Sequence, residues 1–555
     1  MTARCVMVLG TTSGAGKSWL TTALCRWYAR QGLKVAPFKA QNMSNNARVV
    51  AGYAGAGGGA AGGDASGTSG STSGGTSGST SGGGEIGSAQ YFQALAARAV
   101  PEVRMNPLLL KPEADTHSQV VLMGQVDEAL SRMAWRGRSA SVWPVIAQAF
   151  DELCAENDVV VIEGAGSPAE INLSDSDIVN MRVARHGNAR CLLVTDIDRG
   201  GAFAHLYGTW MLLPQDDRAL IHGFVLNKFR GDASLLAPAP QMLQELTGVP
   251  TVATLPMWWH HGLPEEDGLF DMAPAPGVAG TGARADVARL PWGRATSAAT
   301  RTVAVIAWPR ISNLDEFQPL RNVPGLRLKW VRSPAELAGA DCVILPGSKH
   351  TSSDLAWLRA QGLDQAVAAH AASGGAVLGI CGGLQMLGEA LIDTHGIDGN
   401  APGLGLLPLV TSFDRDKTVR RTEATFGDVA GAWSALTGVT VHGYEIHHGQ
   451  TAQHPAMAKA GDVACEVMPA TLAWQNAQGN VLGIYLHGMF EDPAVMQALF
   501  GATVPTLESV FDGLADFIDQ HFEPGVLAGL IDGGASKLLP PAPVIADLIR
   551  DPFGR

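Results

Sequence analysis

The chain has 555 residues, of which 46% are hydrophobic and 16% are charged. This length exceeds what one hydrophobic core usually supports, so two or more domains are expected. A formal net charge of -13 argues against a general nucleic-acid-binding protein. The seven cysteines include no CxxC pair and fit a reducing compartment, and the apolar runs are shorter than a membrane span. We therefore expect a cytoplasmic protein without a nucleic-acid or membrane partner.

The first 235 residues alternate short apolar runs with amphipathic stretches. The runs are CVMVLG, LKVAPFK, DVVVIEGAG, ARCLLVTDID and IHGFVLNKF. Apolar runs of this length separated by helical patterns predict parallel strands that are covered on both faces. Residues 1–235 are therefore predicted to form one α/β domain. Within them, residues 51–84 are almost purely Gly, Ser, Thr and Ala, and this composition predicts a flexible insert.

A second series of apolar runs begins near Thr302 with TVAVIAWP and continues with ADCVILPGSKH, GGAVLGICGG and GNVLGIYLHG. It predicts a second α/β domain over residues 301–495, so the predicted fold class is two domains, each with a mostly parallel sheet and helices on both faces. Residues 236–300 contain a Gly-, Ala- and Pro-rich stretch and are interpreted as a connecting segment and linker. Residues 496–555 are predicted to form a helical segment and a tail.

The stretch GTTSGAGKS follows the first apolar run directly. Backbone N–H groups of such a loop and of the following helix N-terminus bind phosphate oxygens. Five residues separate Gly10 from Gly16, where the common phosphate-binding loop has four. The longer spacing resembles the loop of dethiobiotin synthetase and its relatives, which implies ATP-dependent activation of carboxyl or carbamate groups. The residues predicted to bind Mg-ATP are Gly10, Thr11, Gly14, Gly16, Lys17 and Ser18, with Lys17 on the terminal phosphates and Ser18 on Mg²⁺.

Three further side chains are expected at the same site because each lies at the end of an apolar run. Glu163 ends VVVIE and is predicted to hold Mg²⁺ directly or through water. Lys39 follows VAPF and suits an anionic phosphate or acyl phosphate, although a lone lysine is more often a solvated surface residue. Asn227, in GFVLNKF, resembles the asparagine that reads the nucleotide base in the same superfamily.

The stretch AVLGICGGLQML places Cys381 between an apolar strand and an apolar helix. Glycines on both sides allow the sharp turn of a nucleophile elbow, and the helix N-terminus favours the thiolate. His487, in GIYLHG, is the predicted proton acceptor and donor for that thiol. Backbone N–H groups in the loop containing Gly347 and Ser348, with that of Gly382, are expected to form an oxyanion hole.

This second set of residues resembles the class I glutamine amidotransferase domain, whose cysteine releases ammonia from glutamine through a thioester. That family commonly has a glutamate two positions after the histidine, where this chain has Met489. Glu491 is close in the sequence, but it does not have the family's spacing from His487. The third member of the triad is therefore left open.

Seven further stretches occur in order along the chain: PFKAQNMSNN, EIGSAQ, NPLLLKPEADTHSQVV, EGAGSPAEINL, DIDRGGAF, LPGSKHTSSDL and GYEIHHGQT. Together with the two sites they resemble the cobyric acid synthase family over essentially the whole chain except the Gly/Ser-rich insert. The resemblance implies ATP- and glutamine-dependent amidation of the b, d, e and g carboxylates of a corrinoid, adenosylcobyrinic acid a,c-diamide, in cobalamin biosynthesis. Glutamine and the corrinoid are the implied partners.

The chain departs from the family pattern at the insert and at Gly14, where an acidic residue often stands. The alternatives are the sister enzyme that amidates the a and c positions, a P-loop ATPase switch, and a scaffold without amidation activity. The stretches KAQNMSNN and EADTHSQVV favour the first interpretation over the sister enzyme. A P-loop switch would have no need of the Cys381 and His487 pair.

Overall fold

The computed structural model describes residues 3–52, 83–114, 117–259, 261–263, 301–501 and 506–532. The strands of its first half are β1 (Arg4–Gly10), β2 (Val35–Phe38), β3 (Gln41–Met43), β4 (Ala47–Val50), β5 (Gly84–Gly87), β6 (Leu108–Ala114), β7 (His117–Leu122), β8 (Gln125–Val126), β9 (Val159–Glu163), β10 (Arg190–Asp196), β11 (Ile221–Phe229) and β12 (Thr251–Pro256). The helices are α1 (Lys17–Arg30), α2 (Ser88–Ala96), α3 (Glu128–Arg132), α4 (Trp135–Glu156), α5 (Met181–His186), α6 (Ala202–Leu212), α7 (Gln215–Arg218) and α8 (Ala239–Thr247).

The first sheet has the order β12-β11-β10-β1-β9-β2, and all its strand pairs are parallel. Side chains alternate across a strand, so the apolar residues of β1 divide between the two faces. Val6 and Val8 enter one core, whereas Met7 and Leu9 enter another on the opposite face. This double burial explains why the strands are continuous apolar runs in the sequence.

The structure corrects the predicted boundary after residue 235. The interpretation of 236–300 as a connecting segment is wrong for its first part, because α8 and the edge strand β12 belong to the first sheet. The run TVATLP is short and follows a glycine-terminated helix, which is the pattern of one more βα unit. The Gly-, Ala- and Pro-rich stretch lies outside the described residues.

The strands of the second half are β13 (Arg301–Ile306), β14 (Ile311–Ser312), β15 (Leu326–Val331), β16 (Cys342–Leu345), β17 (Gly347–Ser348), β18 (Ala376–Ile380), β19 (Ala390–Asp393), β20 (Ala401–Pro402), β21 (Leu409–Thr425), β22 (Thr440–Gln453), β23 (Cys465–Met468), β24 (Ala473–Gln475) and β25 (Val481–Ile484). The helices are α9 (Gln318–Arg321), α10 (Pro334–Leu337), α11 (Thr351–Ala360), α12 (Leu363–Ala372), α13 (Gly382–Leu387), α14 (Pro455–Lys459), α15 (Pro493–Phe500), α16 (Leu507–His521) and α17 (Val526–Gly529).

The second sheet has the order β15-β13-β16-β18-β25-β24-β23. Its first five strands are parallel, and β24 and β23 extend it antiparallel. The predicted fold class, two domains that each contain a mostly parallel sheet with helices, is confirmed. Beside these sheets lie the smaller sheets β3-β6-β7-β8 and β20-β19-β21-β22 and the two-stranded sheets β4-β5 and β14-β17.

The predicted insert is flanked by an antiparallel strand pair. Val50 of β4 pairs with Gly84 of β5, so strand pairing begins inside the boundary predicted from composition. Residues 53–82 lie outside the described residues. The pair β4-β5 contacts the long hairpin β21-β22 of the second half, which places it between the two sheets.

The C-terminal helix α16 returns to the first half of the chain. Its apolar residues Phe511, Leu514 and Ile518 join the core on one face of the first sheet. Buried Arg26 of α1 donates hydrogen bonds to Glu508 and Asp512 of α16, at 2.5 and 2.8 Å. The predicted helical segment therefore covers one face of the first sheet. Residues 533–555 lie outside the described residues.

Candidate active sites

The glycine-rich loop connects β1 to α1 at the carboxyl edge of the first sheet, as predicted. Gly14 and Gly16 have φ values of 73° and 95°, a left-handed conformation that glycine adopts without strain. Gly16 caps α1, and a Cβ there would lie 2.1 Å from the side-chain nitrogen of Asn227. Lys17 folds back over the loop and donates hydrogen bonds to the carbonyl oxygens of Thr12 and Gly166, at 3.0 and 3.2 Å. The loop is thus a compact cradle with a lysine ammonium at its centre.

Glu163 forms the polar centre beside this loop. The hydroxyl of Ser18 and the ammonium of Lys39 each donate to its Oε1 at 2.8 Å. Gln90 and Gln93 of α2 donate to its Oε2 at 3.3 and 2.5 Å. The structure therefore brings the predicted Ser18, Lys39 and Glu163 into direct contact.

Burial and the neighbouring charge shift the pKa of Glu163 in opposite directions. Burial raises the pKa of this carboxyl, but the charge of Lys39 and the hydrogen bonds from Lys39, Gln93 and Ser18 outweigh burial and hold the pKa below its usual value. The group is therefore a carboxylate at neutral pH. A carboxylate and a hydroxyl oxygen are ligands of the kind that Mg²⁺ takes in nucleotide sites, so Ser18 and Glu163 fit the ion. Among the described residues, we find no group of three or more His, Cys, Asp or Glu side chains placed to hold a metal.

Asn227 lies under the loop. Its side-chain amide donates to the carbonyl oxygen of Ala15 at 2.9 Å. The neighbouring Lys228 donates to the carbonyl of Gly14 at 2.8 Å and pairs with Asp196 at 3.2 Å. In this structure the amide of Asn227 supports the loop backbone, and its contact with a nucleotide base stays a prediction.

The remaining predicted residues of the loop begin at the strand end. Gly10 is the last residue of β1, and a Cβ there would lie 2.9 Å from the ammonium nitrogen of Lys17. The hydroxyl of Thr11 donates to that of Thr195 at 3.0 Å, which ties the loop to the end of β10. Glycine at position 10 thus leaves room for the Lys17 side chain to lie against the strand end.

The second site is built around a strained turn between β18 and α13. Cys381 has φ 50° and ψ -105°, a conformation that a non-glycine residue rarely adopts. A Cβ at Gly383 would lie 1.9 Å from the carbonyl oxygen of Leu345, and one at Gly379 would lie 2.7 Å from the backbone of Gly383. The glycines in GICGG are therefore required by close backbone packing, and the predicted elbow geometry is present.

His487 follows β25 and is held by a carboxylate that lies far away in the sequence. Its Nδ1 forms a hydrogen bond with Oε1 of Glu316 at 3.1 Å, and the backbone N–H of Gly488 donates to Oε2 at 3.0 Å. Both His487 and Glu316 are buried. Burial lowers the pKa of His487, but Glu316 and Cys381, the latter in hydrogen-bonding contact, together raise it to about 10.

Glu316 is thus the third group that the sequence left open. It lies in the short 3-10 helix Leu314–Phe317, 171 residues before the histidine. Met489, at the family's usual position, is fully buried in the apolar core. Glu491 turns away and pairs with Arg48 of the first half.

The loop predicted to supply oxyanion donors lies against both catalytic candidates. A Cβ at Gly347 would lie 2.7 Å from Cε1 of His487. A Cβ at Gly382 would lie 2.9 Å from the backbone nitrogen of Ser348. The N–H groups of Gly382 and Ser348 are therefore neighbours beside Cys381. Below them, the hydroxyl of Ser348 donates to the carboxyl of Asp354 at 2.6 Å.

Cys381 and His487 open onto a cavity of about 370 Å³ between the two halves of the chain. The first half contributes the wall residues Asn45, Lys111, Glu113, His117 and Gln119. Several cations of the second half also line it, including Arg310, Lys349 and Lys417. A small zwitterion fits this volume and this mixture of charges.

Ion pairs across the domain boundary fix the wall of this cavity. Buried Glu85 of β5 pairs with Lys111 and, at 2.5 Å, with Lys417. Lys349 pairs with Glu113 at 2.9 Å. Burial lowers the pKa of Lys111 to about 7, although Glu85 opposes this change. The cavity is thus completed only when both halves are docked.

Two family models match the chain. The CobQ/CobB/MinD/ParA nucleotide binding domain matches residues 6–263, and the CobB/CobQ-like glutamine amidotransferase domain matches residues 302–495. These two domains, with the sites described above, define the class: a nucleotide-binding domain joined to a glutamine amidotransferase.

Two similar proteins carry the same name. "Cobyric acid synthase" of Polaromonas sp. (strain JS666 / ATCC BAA-500) is 74% identical over 95% of this chain and 98% of its own length. "Cobyric acid synthase" of Polaromonas naphthalenivorans (strain CJ2) is 73% identical over 96% of this chain and 100% of its own length. The chain therefore belongs to the cobyric acid synthase family, and the predicted family and amidotransferase class are confirmed.

Solved structures match more distantly. "Structure of PurLQS from Thermotoga maritima" has a TM-score of 0.29 and 16% identity and covers 36% of this chain and 98% of that chain. A TM-score this low supports no conclusion about the fold or function of this chain. In the described part of the chain, the helices are too short or too polar to cross a membrane.

Proposed function

We propose that the chain uses ATP and glutamine to amidate the b, d, e and g carboxylates of adenosylcobyrinic acid a,c-diamide, giving adenosylcobyric acid. The observation that carries this proposal is that one chain contains both Cys381 near the His487–Glu316 pair and a glycine-rich loop beside Glu163. Membership of the cobyric acid synthase family supports the choice of acceptor. Glutamine, ATP and the corrinoid are then the substrates.

At the first of these sites, the chain's own groups perform amide hydrolysis. Glu316 accepts a hydrogen bond from Nδ1 of His487, which leaves Nε2 to exchange a proton with the thiol. Cys381 attacks the amide carbon of glutamine, and the imidazolium returns the proton to the departing ammonia. The N–H groups of Gly382 and of the Gly347–Ser348 loop stabilise the oxyanion by about 3 kcal/mol per donor. Water then releases glutamate from the thioester.

At the second site, the loop and its neighbours position the phosphoryl donor. ATP supplies the phosphoryl group that makes a carboxylate, a poor acyl donor, open to attack by ammonia. Lys17 and the loop N–H groups would stabilise charge on the phosphates, and Ser18 and Glu163 would hold a magnesium ion that neutralises the same charge. Lys39 pairs with Glu163 in this structure, and in this proposal its ammonium interacts with the anionic acyl phosphate. Ammonia must pass between the sites without contact with bulk water, since protonation would remove its nucleophilic electron pair.

The test is mass spectrometry of the corrinoid after incubation with the protein, Mg-ATP and either glutamine or ammonium. We expect stepwise amidation with both nitrogen sources for the wild type and with ammonium alone for Cys381→Ala. The exposed Cys465 provides a matched control, so Cys465→Ala should behave as the wild type. Absence of amidation from either nitrogen source would contradict the proposal. Amidation of cobyrinic acid at its a and c positions instead would assign the sister reaction.

A further inference from the structure

Arg48 of β4 crosses from the first half of the chain into the second. Its guanidinium makes two hydrogen bonds to Glu491, at 2.6 and 2.8 Å, and a further one to Asp315. Its Nε donates to the hydroxyl of Ser88 at 3.0 Å, and Ser88 in turn donates to Asp315 at 2.5 Å. The whole residue is only 2% exposed. A buried arginine with this many planar contacts fixes the groups around it.

The two carboxylate partners of Arg48, Asp315 and Glu491, belong to segments that hold His487. Asp315 immediately precedes Glu316 in the same short helix. Glu491 ends the 3-10 turn Met489–Glu491, which begins directly after Gly488, a second donor to Glu316. Two chain connections therefore run from the guanidinium to the imidazole.

A third connection passes through an aromatic ring. The guanidinium carbon of Arg48 lies 5.1 Å from the ring centroid of Tyr444. That ring stacks on His487, with centroids 5.5 Å apart and planes at 24°. The backbones of Tyr444 and His487 also exchange hydrogen bonds of 2.9 and 3.3 Å. The imidazole is thus held from its edge by Glu316 and from its face by Tyr444.

The carboxylates around Arg48 need its positive charge as a partner. Asp315 and Glu316 are buried and the partly buried Glu491 lies beside them; burial raises the pKa of Glu491 although Arg48 lowers it. Without the guanidinium of Arg48, the carboxyl groups of Asp315 and Glu491 would lie close together without a cation between them. Their repulsion would be relieved if one of them took up a proton or moved away. Either change at Asp315 would alter the position of Glu316, which is the next residue in the same short helix.

We propose that Arg48, a residue of the nucleotide-binding half, is a positioning residue of the glutaminase site: it fixes Asp315, Glu491 and Tyr444, and through them the Glu316–His487 pair. The inference rests on the proposed function, because it takes Cys381 and His487 as the groups that hydrolyse glutamine. Arg48, Asp315 and Glu491 do not line the cavity that contains Cys381. Arg48 therefore acts on turnover and not on glutamine binding.

The test compares Arg48→Met and Arg48→Lys with Arg421→Met in the full-length protein. Arg421 is a matched control, because it also reaches across the boundary, to the carbonyl of Val49 at 3.0 Å and to the ring of Tyr91, but in the described part of the chain it pairs with neither Asp315 nor Glu491. The measurements are kcat and KM for glutamate release across a range of pH. We expect kcat of Arg48→Met to fall on the order of 10- to 100-fold, with KM for glutamine changed less than about twofold. Arg48→Lys restores part of the rate, and Arg421→Met retains it.

A second measurement separates positioning from folding. The rate of iodoacetamide alkylation of the Cys381 peptide, followed against pH by mass spectrometry, reports the thiol in contact with His487. We expect its pH profile to shift in Arg48→Met while ammonium-dependent amidation continues. Unchanged kcat and alkylation profiles would overturn the proposal, as would parallel loss of glutaminase and ammonium-dependent activity. A wild type that releases no glutamate would refute the proposed function, whereas the alkylation profile would still test the role of Arg48.

Discussion

The two sites of this chain are assembled in different ways. At the phosphate site, Glu163 ends β9, Lys39 follows β2, and Lys17 lies just past the loop after β1, so the parallel sheet brings all three to one edge. At the glutaminase site, His487 contacts Glu316 from an earlier helix, and the adjacent Asp315 pairs with Arg48 from the other half of the chain. The comparison shows that strand order alone can gather a phosphate site, whereas the second site needs contacts between separate segments.

The largest expected effect comes from Lys17→Met, which removes the cation at the centre of the phosphate loop. ATP-dependent amidation should fall on the order of 10³-fold with either glutamine or ammonium, because charge on the transferred phosphoryl group loses its stabilising partner. Glutamate release in the absence of ATP should persist, since Lys17 belongs to the other site. The rates are measured as corrinoid amidation and as glutamate release.

The matched control for this experiment is Lys34→Met, an exposed lysine of the same domain. It removes the same charge without touching the loop and should retain amidation. Normal ammonium-dependent amidation by Lys17→Met would show that the loop does not bind the phosphoryl donor. ATP-dependent amidation and glutamine hydrolysis would then not be separated between the phosphate site and the glutaminase site.

The second prediction concerns Glu316→Gln, which keeps the shape of the side chain but removes its charge. Glutamate release should fall on the order of 10²- to 10⁴-fold, because the imidazole loses the group that sets its tautomer and stabilises its charged form. Amidation with ammonium should continue near the wild-type rate. Retention of glutamine-dependent activity would remove Glu316 from the triad.

The same variant also changes the pH dependence. In the wild type, burial lowers the pKa of His487, but Glu316 and Cys381 raise it from 6.5 to about 10. A raised histidine pKa contributes stability that is complete below pH 6.5 and is lost as the pH rises towards 10. Without the charge of Glu316, the alkaline loss of both stability and glutaminase activity should move to lower pH. Melting temperatures and initial rates measured against pH report the two effects.

The sequence predicted the parts of each site that are local in the chain. The loop GTTSGAGKS and the turn GICGG each contain their glycines and their functional residue within a few positions, and the structure brings Ser18, Lys39 and Glu163 into contact. Glu316 was missed because its stretch, SNLDEF, has no spacing signal that relates it to His487. Only the tertiary fold joins positions 171 residues apart.

Two further features of the structure were not predicted, because they also depend on contacts between segments that are distant in the sequence. Gln90 and Gln93 lie on one face of α2, and ordinary helical spacing gave no sign that this face meets Glu163. The edge strand β12 was assigned to a connecting segment because its run is short and precedes a Gly- and Pro-rich stretch. A pattern of apolar residues predicts that a strand is buried, but it does not identify the sheet that buries it.

The smallest expected effect concerns Asp354, which accepts the hydroxyl of Ser348 beneath the oxyanion loop. Burial raises the pKa of this carboxyl to about 7, although hydrogen bonds from Ser348 and Arg310 oppose the rise. Because this carboxyl ionises near pH 3.8 in the unfolded chain but only near pH 7 in the folded protein, stability falls as the pH rises from 3.8 to about 7. Between pH 5 and pH 7 the loss amounts to about 2 kcal/mol.

Asp354→Asn cannot ionise and should therefore lack this loss. The melting temperature of the variant relative to the wild type should rise from pH 5 to pH 7, as measured by thermal unfolding at both pH values. Asp428→Asn, at an exposed position of the same domain, should follow the wild type. An identical pH dependence in Asp354→Asn would mean that the carboxyl is already ionised at pH 5. The oxyanion loop would then rest on a buried charge, as His487 does, and not on a neutral carboxyl group.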